Sequence, residues 1–358
     1  MLLNENDDDN NYDFGLQCNE KYKAFDLSNV KSINVKKLAD EMLSYKNKKT
    51  SFTPTTYNIN IDNNEFTFVN LINYGSSGYV SLYKTNKNEC IAIKQGILRI
   101  NQRLKYEGLL QDIKIISTLH TLSKCTSSYT NIIPVDTDDD NKILIMEYMS
   151  GTLNKLLLGI NNNVTLKNLK SVFQIILKIL KDIYCLYTQN LFYTDIKLAN
   201  ILFRCDQNDK IKILLGDLGS ISNKINNDEC IATFPSPKGF FTTNKGFIDD
   251  VDISDLIWIQ QVNIIIIIKI FFNINFVYTP FTHTTKYNNL NELTDTMNLE
   301  ITQLQDHLIL QGHSQSLQYL KPLFTLMKEN FTHYDLLNVN NYYSLITIIH
   351  SAYKDIPI

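Results

Sequence analysis

The stretch Tyr193-Thr194-Asp195-Ile196-Lys197-Leu198-Ala199-Asn200-Ile201-Leu202 sets an acid, a base and an amide at fixed offsets ahead of an apolar pair. In a chain crowded with Asp, Lys and Asn, a D-x-K-x-x-N pattern also arises by accident, so its surroundings decide what it is. Upstream, Leu166 to Leu186 reads LKNLKSVFQIILKILKDIYCL, and its apolar residues recur at three- and four-residue steps, which predicts a long amphipathic helix. Downstream, NILFRC and KIKILLGD are strand-like runs on either side of the Asp206-Gln207-Asn208-Asp209 turn. The second run leads into Leu214-Leu215-Gly216-Asp217-Leu218-Gly219, which places Asp217 seventeen residues beyond Asn200.

The preceding part of the chain has a different texture. From Tyr57, the runs YNINI, EFTFVNLINYG, YVSLYKT and CIAIKQG are short and rich in β-branched and aromatic residues, with turn chemistry between them, and they predict antiparallel hairpins. A helix-length segment, Leu104 to Leu119, and two strand candidates around Ile132 to Val135 and Lys142 to Tyr148 follow. Beyond residue 250 the period is mostly helical. Residues 1–56 mix Asn and Asp runs with weakly helical pieces such as Val35 to Tyr45 and read as a partly ordered arm. The expected order is therefore arm (1–56), β-rich part with one helix (57–150) and α-rich part (151–358), an α+β class with a cleft between two lobes.

Composition narrows the function. The chain has 358 residues, 44% of them hydrophobic, enough for a sizeable core. A net charge of -3 supplies no basic field for nucleic acid or an acidic membrane surface. The run Val262 to Phe272 is interrupted by Asn263 and Lys269 and is shorter than the roughly 20 residues of a membrane span, so it reads as a buried helix. Cys18, Cys90, Cys125, Cys185, Cys205 and Cys230 form no C-x-x-C pair and fit free thiols in a reducing compartment. MLLNENDDDNNYD has neither the basic start nor the apolar core of a signal peptide. Both features lead us to expect an intracellular, cytoplasmic protein. The bias toward Asn, Ile, Lys and Tyr suits an AT-rich genome such as that of a large DNA virus, in which case the cytoplasm is the host's. The six histidines show no ligand spacing.

Two further features accompany the opening motif. Asn73-Tyr74-Gly75-Ser76-Ser77-Gly78-Tyr79-Val80 lies between two strand candidates, and glycines let a hairpin tip bring backbone N–H groups close to a phosphate. Taken alone it is an ordinary hairpin turn. Fourteen residues after Val80, Lys94 ends the alternating strand Cys90-Ile91-Ala92-Ile93-Lys94. Glycine hairpin, strand lysine, D-x-K-x-x-N and D-L-G, in this order and spacing, resemble the eukaryotic protein kinase family, serine/threonine branch, over residues from about 57 to 350.

The resemblance implies a bilobal kinase-like fold, ATP and Mg2+ as cofactors, and a protein substrate. It implies Asp195 as the catalytic aspartate, Lys197 as the cation that stabilises the transferred phosphoryl group, and Asn200 with Asp217 as magnesium ligands. A nucleotide site follows from Ile72, Asn73, Gly75, Ser76, Gly78, Val80, Ala92, Lys94, Asp112, Glu147 and Met149. Asp112 stands where the family usually has the glutamate that holds the lysine, with Glu107 as the second choice. The backbones of Glu147 and Met149 are the candidates for the adenine edges. Asp255, or alternatively Asp252, is expected to brace the catalytic loop from the central helix.

Several positions depart from the family pattern. Asn73 replaces the first loop glycine. Tyr193 and Thr194 replace the usual His and Arg, so the common receptor for a phosphorylated activation loop is missing. Lys238 replaces the glutamate that closes the activation segment, and its usual arginine partner is gone too, since no arginine follows Arg204. Losing both partners leaves no orphaned charge. An active serine/threonine kinase is the leading reading. A pseudokinase scaffold and a small-molecule kinase of related fold are the alternatives, and substrate identity and oligomeric state stay open.

Overall fold

A computed structural model describes residues 22–38, 45–47, 50–52, 56–74, 78–96, 107–122, 125, 129, 131–137, 142–160, 164–205, 211–223, 230–231, 237, 247–248, 251–274 and 287–357. They fall into two compact units, one within Cys18–Ser123 and Tyr129–Ser150, the other within Lys124–Ser128 and Gly151–Ile358.

The first unit is a sheet with one helix. Its strands are β1 (Lys23–Ala24), β2 (Ile33–Lys37), β3 (Tyr57–Ile61), β4 (Asn64–Tyr74), β5 (Tyr79–Lys84), β6 (Glu89–Gln95), β7 (Ile132–Asp136) and β8 (Lys142–Glu147), and the helix α1 spans Glu107–Leu122. The sheet runs β2-β3-β4-β5-β6-β8-β7, with β1 parallel to β6 and the other pairs antiparallel. Period-two alternation decides which side chains meet the core. Tyr57, Ile59 and Ile61 of β3, Phe66, Tyr83, Ile91, Ile93, Ile143 and Ile145 form one apolar cluster, while Ala92 and Lys94 point to the other face. Asp62 and Asn63 both take positive φ, 47° and 64°, as a two-residue hairpin between β3 and β4 demands. In α1, Leu109, Asp112, Ile115, Ile116 and Leu119 form a buried stripe at helical spacing, so Asp112 is carried inward by its apolar neighbours.

Part of the expected arm belongs to this sheet. Ile33–Lys37, read as the edge of a weak helix, is instead a strand paired with β3, and Val35 joins the core. Strand pairing across more than twenty residues overrides the local propensity. A separate hairpin pairs Tyr45–Asn47 with Thr50–Phe52.

The second unit begins with β9 (Gly151–Thr152), α2 (Leu153–Ile160), α3 (Leu166–Thr188) and β10 (Leu191–Tyr193). It continues with β11 (Ile201–Cys205), β12 (Ile211–Leu215), β13 (Ile221–Asn223), α4 (Ile253–Phe271), α5 (Leu290–Leu310), α6 (Ser314–Thr332) and α7 (Val339–Asp355). Strands β9, β11 and β12 make one small sheet and β10 with β13 another. Thr165 caps α3 by accepting the Asn168 N–H at 3.1 Å. Asp252 and Asp255 close a capping box at the start of α4. Helix α4 is apolar on all sides and long enough to cross a membrane, yet 83% of its apolar window is buried in the unit, as the core-helix reading expects. Its Trp258 packs edge-on against Phe331 and Tyr334, with ring centroids 4.6 and 5.6 Å away.

The cysteines are not all free thiols, contrary to what their spacing leads us to expect. Cys125 and Cys185 form a disulfide, with Cα atoms 5.8 Å apart. Cys205 is disulfide-bonded as well, and among the described residues Cys90 is the free thiol. No spacing rule reveals a partner 60 residues away. The disulfides also remove the cysteine-based ground for a reducing compartment.

One buried ion pair ties α4 to α5, where the Lys269 ammonium meets the Glu300 carboxylate and both side chains are less than one-tenth exposed. Removing one partner strands the other charge in the interior. Lys269→Met should therefore cost about 3–5 kcal/mol, while Lys269→Met with Glu300→Leu should return to about the wild-type value. Denaturant midpoints decide the matter; additive losses in the double variant would contradict it.

Candidate active site

In the first unit, sheet register brings the candidate nucleotide residues into rows. Asn73 faces Val80, Val80 faces Lys94, and Lys94 faces Leu144, while Ala92 lies between Leu82 and Met146. Directly opposed residues share a face, so Val80, Ala92 and Lys94 present side chains to the same side of the sheet. Lys94 Nζ lies 2.7 Å from Asp112 Oδ2, and both residues are buried. The shorter acid thus reaches the lysine. Glu107 opens α1, and its side chain lies outside the described residues.

Ile72 falls in a register shift between Leu71 and Asn73 and is 46% exposed, an apolar side chain left on the surface by the bulge. Gly78 is constrained by space. A Cβ there would stand 2.1 Å from the Gln95 carbonyl oxygen, so only glycine lets the hairpin close on β6. Gly75 and Ser76 lie outside the described residues. At the end of β8, Glu147 is clasped by Asn131. Its N–H donates to the Asn131 carbonyl at 3.2 Å, and its Oε1 accepts from Asn131 Nδ2 at 3.1 Å. Met149 follows two residues later.

The second unit carries the opening motif on the loop between β10 and β11. Asp195 Oδ2 accepts from Lys197 Nζ at 2.8 Å and from Asn200 Nδ2 at 3.0 Å, and the same amide also reaches the Asp195 carbonyl at 2.9 Å. Asp195 is 4% exposed, and its Oδ1 is buried with no hydrogen-bond partner among the described residues. Burial pushes this carboxyl above the ordinary carboxylate range, Lys197 and Asn200 pull it back, and the charge of Asp217 adds to the rise. One oxygen is fixed by two donors, and the other is left as an acceptor.

Asp217 is placed by three local devices. The Gly216 N–H donates to the Asn200 carbonyl at 2.7 Å, and a Cβ on Gly216 would stand 2.7 Å from Leu202 Cδ1, so close approach of these segments requires glycine. Tyr193, fully buried in the usual histidine's place, donates its hydroxyl to the Gly216 carbonyl at 2.5 Å. Burial, reinforced by the nearby charges of Asp217 and Asp195, keeps that phenol protonated and therefore a donor. Asp217 itself adopts a left-handed backbone, φ 50° and ψ 57°, uncommon outside glycine, and its side chain is exposed amid buried neighbours.

One brace on the loop comes from Asn263 of α4, whose Nδ2 donates to the Ile196 carbonyl at 2.8 Å. Asp255 on the same helix accepts from the Tyr334 hydroxyl at 2.6 Å and from the Asp252 N–H at 3.1 Å, which also anchors the start of the helix. Asn263 was visible in the sequence as an amide breaking an isoleucine-rich run, a costly residue to bury without a purpose. The segment Ala232 to Ser236 and Lys238 lie outside the described residues.

Asn200 and Asp217 fit a magnesium ion completed by phosphate and water oxygens, since Mg2+ is commonly held by one or two carboxylates rather than by an all-protein cage. No group of three or more His, Cys, Asp or Glu side chains among the described residues forms a metal cage of another kind.

No curated protein matches the chain. The model of the protein kinase domain matches residues 66–244, half of its length, and spans the glycine hairpin, Lys94, Asp112, the Asp195 loop and Asp217. The chain belongs to the protein kinase family, whose domains transfer phosphoryl groups to proteins and generally use ATP and Mg2+.

Proposed function

We propose that the chain is an active serine/threonine protein kinase that transfers the γ-phosphoryl group of ATP to a protein hydroxyl. The observation that carries this reading is the division of labour at Asp195, where Oδ2 is held by Lys197 and Asn200 while buried Oδ1 has no hydrogen-bond partner among the described residues. An oriented acceptor of this kind suits a substrate hydroxyl, whose proton it takes as the oxygen attacks. Lys197, one-third exposed, supplies positive charge beside that position. Lys94, held by Asp112, is placed to pair with the α- and β-phosphates. Asn200 and Asp217 are the groups to hold magnesium, which when bound neutralises charge on the β- and γ-phosphates. Catalysis then rests on positioning and charge neutralisation.

Of the two departures that favour a non-catalytic scaffold, Asp112 is offset by its 2.7 Å contact with Lys94. Asn73 remains, and it keeps its place in register opposite Val80. Phosphoamino-acid mapping of a protein mixture treated with the chain and Mg·ATP tests the assignment. Phosphoserine and phosphothreonine are expected; phosphotyrosine alone would remove the serine/threonine reading, and no transfer with intact ATP binding would favour the scaffold.

Activity is expected not to need activation-loop phosphorylation. Thr194, in the place of the phosphate-receiving arginine, is fully buried, and Ser220 and Ser222 are buried too, at 7% and 2% exposure. Ser220 donates its hydroxyl to the Asp217 carbonyl at 2.9 Å. Thr233 lies outside the described residues. Phosphatase-treated protein should keep its full rate; loss of rate in step with loss of phosphate at Ser220, Ser222 or Thr233 would contradict this.

A further inference from the structure

The segment Tyr22 to Ser28 is bonded along the first unit and ends beside the residues proposed to meet adenine. Strand β1 lies parallel to β6, the Lys23 N–H donates to the Asn88 carbonyl at 3.1 Å, and the Phe25 N–H donates to the Cys90 carbonyl at 2.9 Å. Phe25 packs edge-on against Phe66 with centroids 5.2 Å apart, and Leu27 enters the core at 4% exposure. These contacts fix the segment in place. Its polar and aromatic side chains then reach the end of β8. The Tyr22 ring meets the Tyr148 ring edge-on at 5.9 Å, and Asn131 Nδ2 reaches both Ser28 Oγ at 3.3 Å and Glu147 Oε1 at 3.1 Å.

We infer that residues 22–28, acting through Asn131 and Tyr148, are a positioning element for adenine-nucleotide binding, one that sets the backbone of Glu147 to Met149. The inference rests on the proposed kinase reading, in which that backbone holds the base. Backbone donors and acceptors bind a planar base well only if their orientation is fixed before the ligand arrives. A strand end is the least constrained part of a sheet, and here Asn131 and Tyr148 hold it from two sides. Asn131 is the hub, because its single side-chain amide spans the segment and the strand end while its carbonyl takes the Glu147 N–H.

The test uses the full chain with Mg·ATP as the probe, in calorimetric binding and in transfer kinetics. Tyr22→Ala and Asn131→Ala should each raise the dissociation constant and the KM for ATP about tenfold, the effect of one lost hydrogen bond or ring contact. The kcat at saturating ATP should stay at the wild-type value, and both variants should melt well above the temperature of the binding measurement, with at most the few degrees' fall that one lost contact causes. Exchange of the Tyr148 and Met149 amides should quicken in the two alanine variants, a readout that does not depend on nucleotide. Alanine variants that bind ATP as wild type does, while Lys94→Met binds weakly, would overturn the positioning role and leave the kinase reading standing. A wild type and Lys94→Met that bind ATP equally poorly would overturn the nucleotide site, and the positioning role with it.

Discussion

Asp195→Asn is expected to lower phosphoryl transfer by about 10²- to 10⁴-fold while leaving ATP affinity and the fold in place. The amide is isosteric, so Asn200 Nδ2 can still reach the side-chain oxygen and the backbone carbonyl that it now contacts. Lys197 loses an ionic partner but is one-third exposed and can be solvated. What is lost is the carboxylate acceptor at Oδ1, buried and without a hydrogen-bond partner among the described residues. Because burial already disfavours this charge, replacing it with a neutral amide should leave the melting temperature unchanged or raise it. Catalytic sites commonly trade stability for function in this way. A variant that is inactive only because it melts at a lower temperature would contradict the role assigned to Asp195. Steady-state rates, ATP binding and thermal melting of the same preparation separate the two outcomes.

The second large effect concerns the Cys125–Cys185 disulfide. Cys125 lies three residues beyond the end of α1 and Cys185 near the end of α3, and the bond closes a loop of sequence separation 60. Closing a loop of that length restricts the unfolded chain enough to stabilise the fold by about 4 kcal/mol. Cys125→Ser and Cys185→Ser should each lower unfolding stability by about that amount under oxidising conditions. The paired serine variant should lose no more than either single variant, because a single bond is removed in all three cases. Denaturant unfolding with and without reductant gives the measurement. A serine variant as stable as the oxidised wild type would show that the bond does not form in solution.

Local periodicity exposed most of the architecture. The alternating runs from Tyr57 to Gln95 and the stripe from Leu166 to Leu186 needed no partner to be read, since burial of one face fixes a period of two or of about 3.6. The Lys94–Asp112 pair was accessible through the family resemblance, which puts a carboxylate of the following helix on the strand lysine, while the burial that selects Asp112 over Glu107 as partner came only with the fold. Features made by distant partners were not accessible. Ile33–Lys37 reads as arm until β3 pairs with it, and the cysteine pairing depends on which loops meet. Asn263 stood out as an amide inside an apolar run, but its role did not, since only the fold shows its Nδ2 on the Ile196 carbonyl. The role of Tyr193 was half legible. Its place before Asp195 marked a departure from the family pattern, but only the fold shows its hydroxyl holding the Gly216 carbonyl beside Asp217.

Asp195, Asn200 and Asp217 are proposed to form a working phosphoryl-transfer centre. Its most direct test is to incubate the purified chain with γ-labelled ATP, Mg2+ and a generic protein mixture, in parallel with Asp195→Asn and with wild type in excess chelator. Label is expected in protein with wild type and Mg2+, and only background in the other two. Equal labelling by wild type and Asp195→Asn would contradict it.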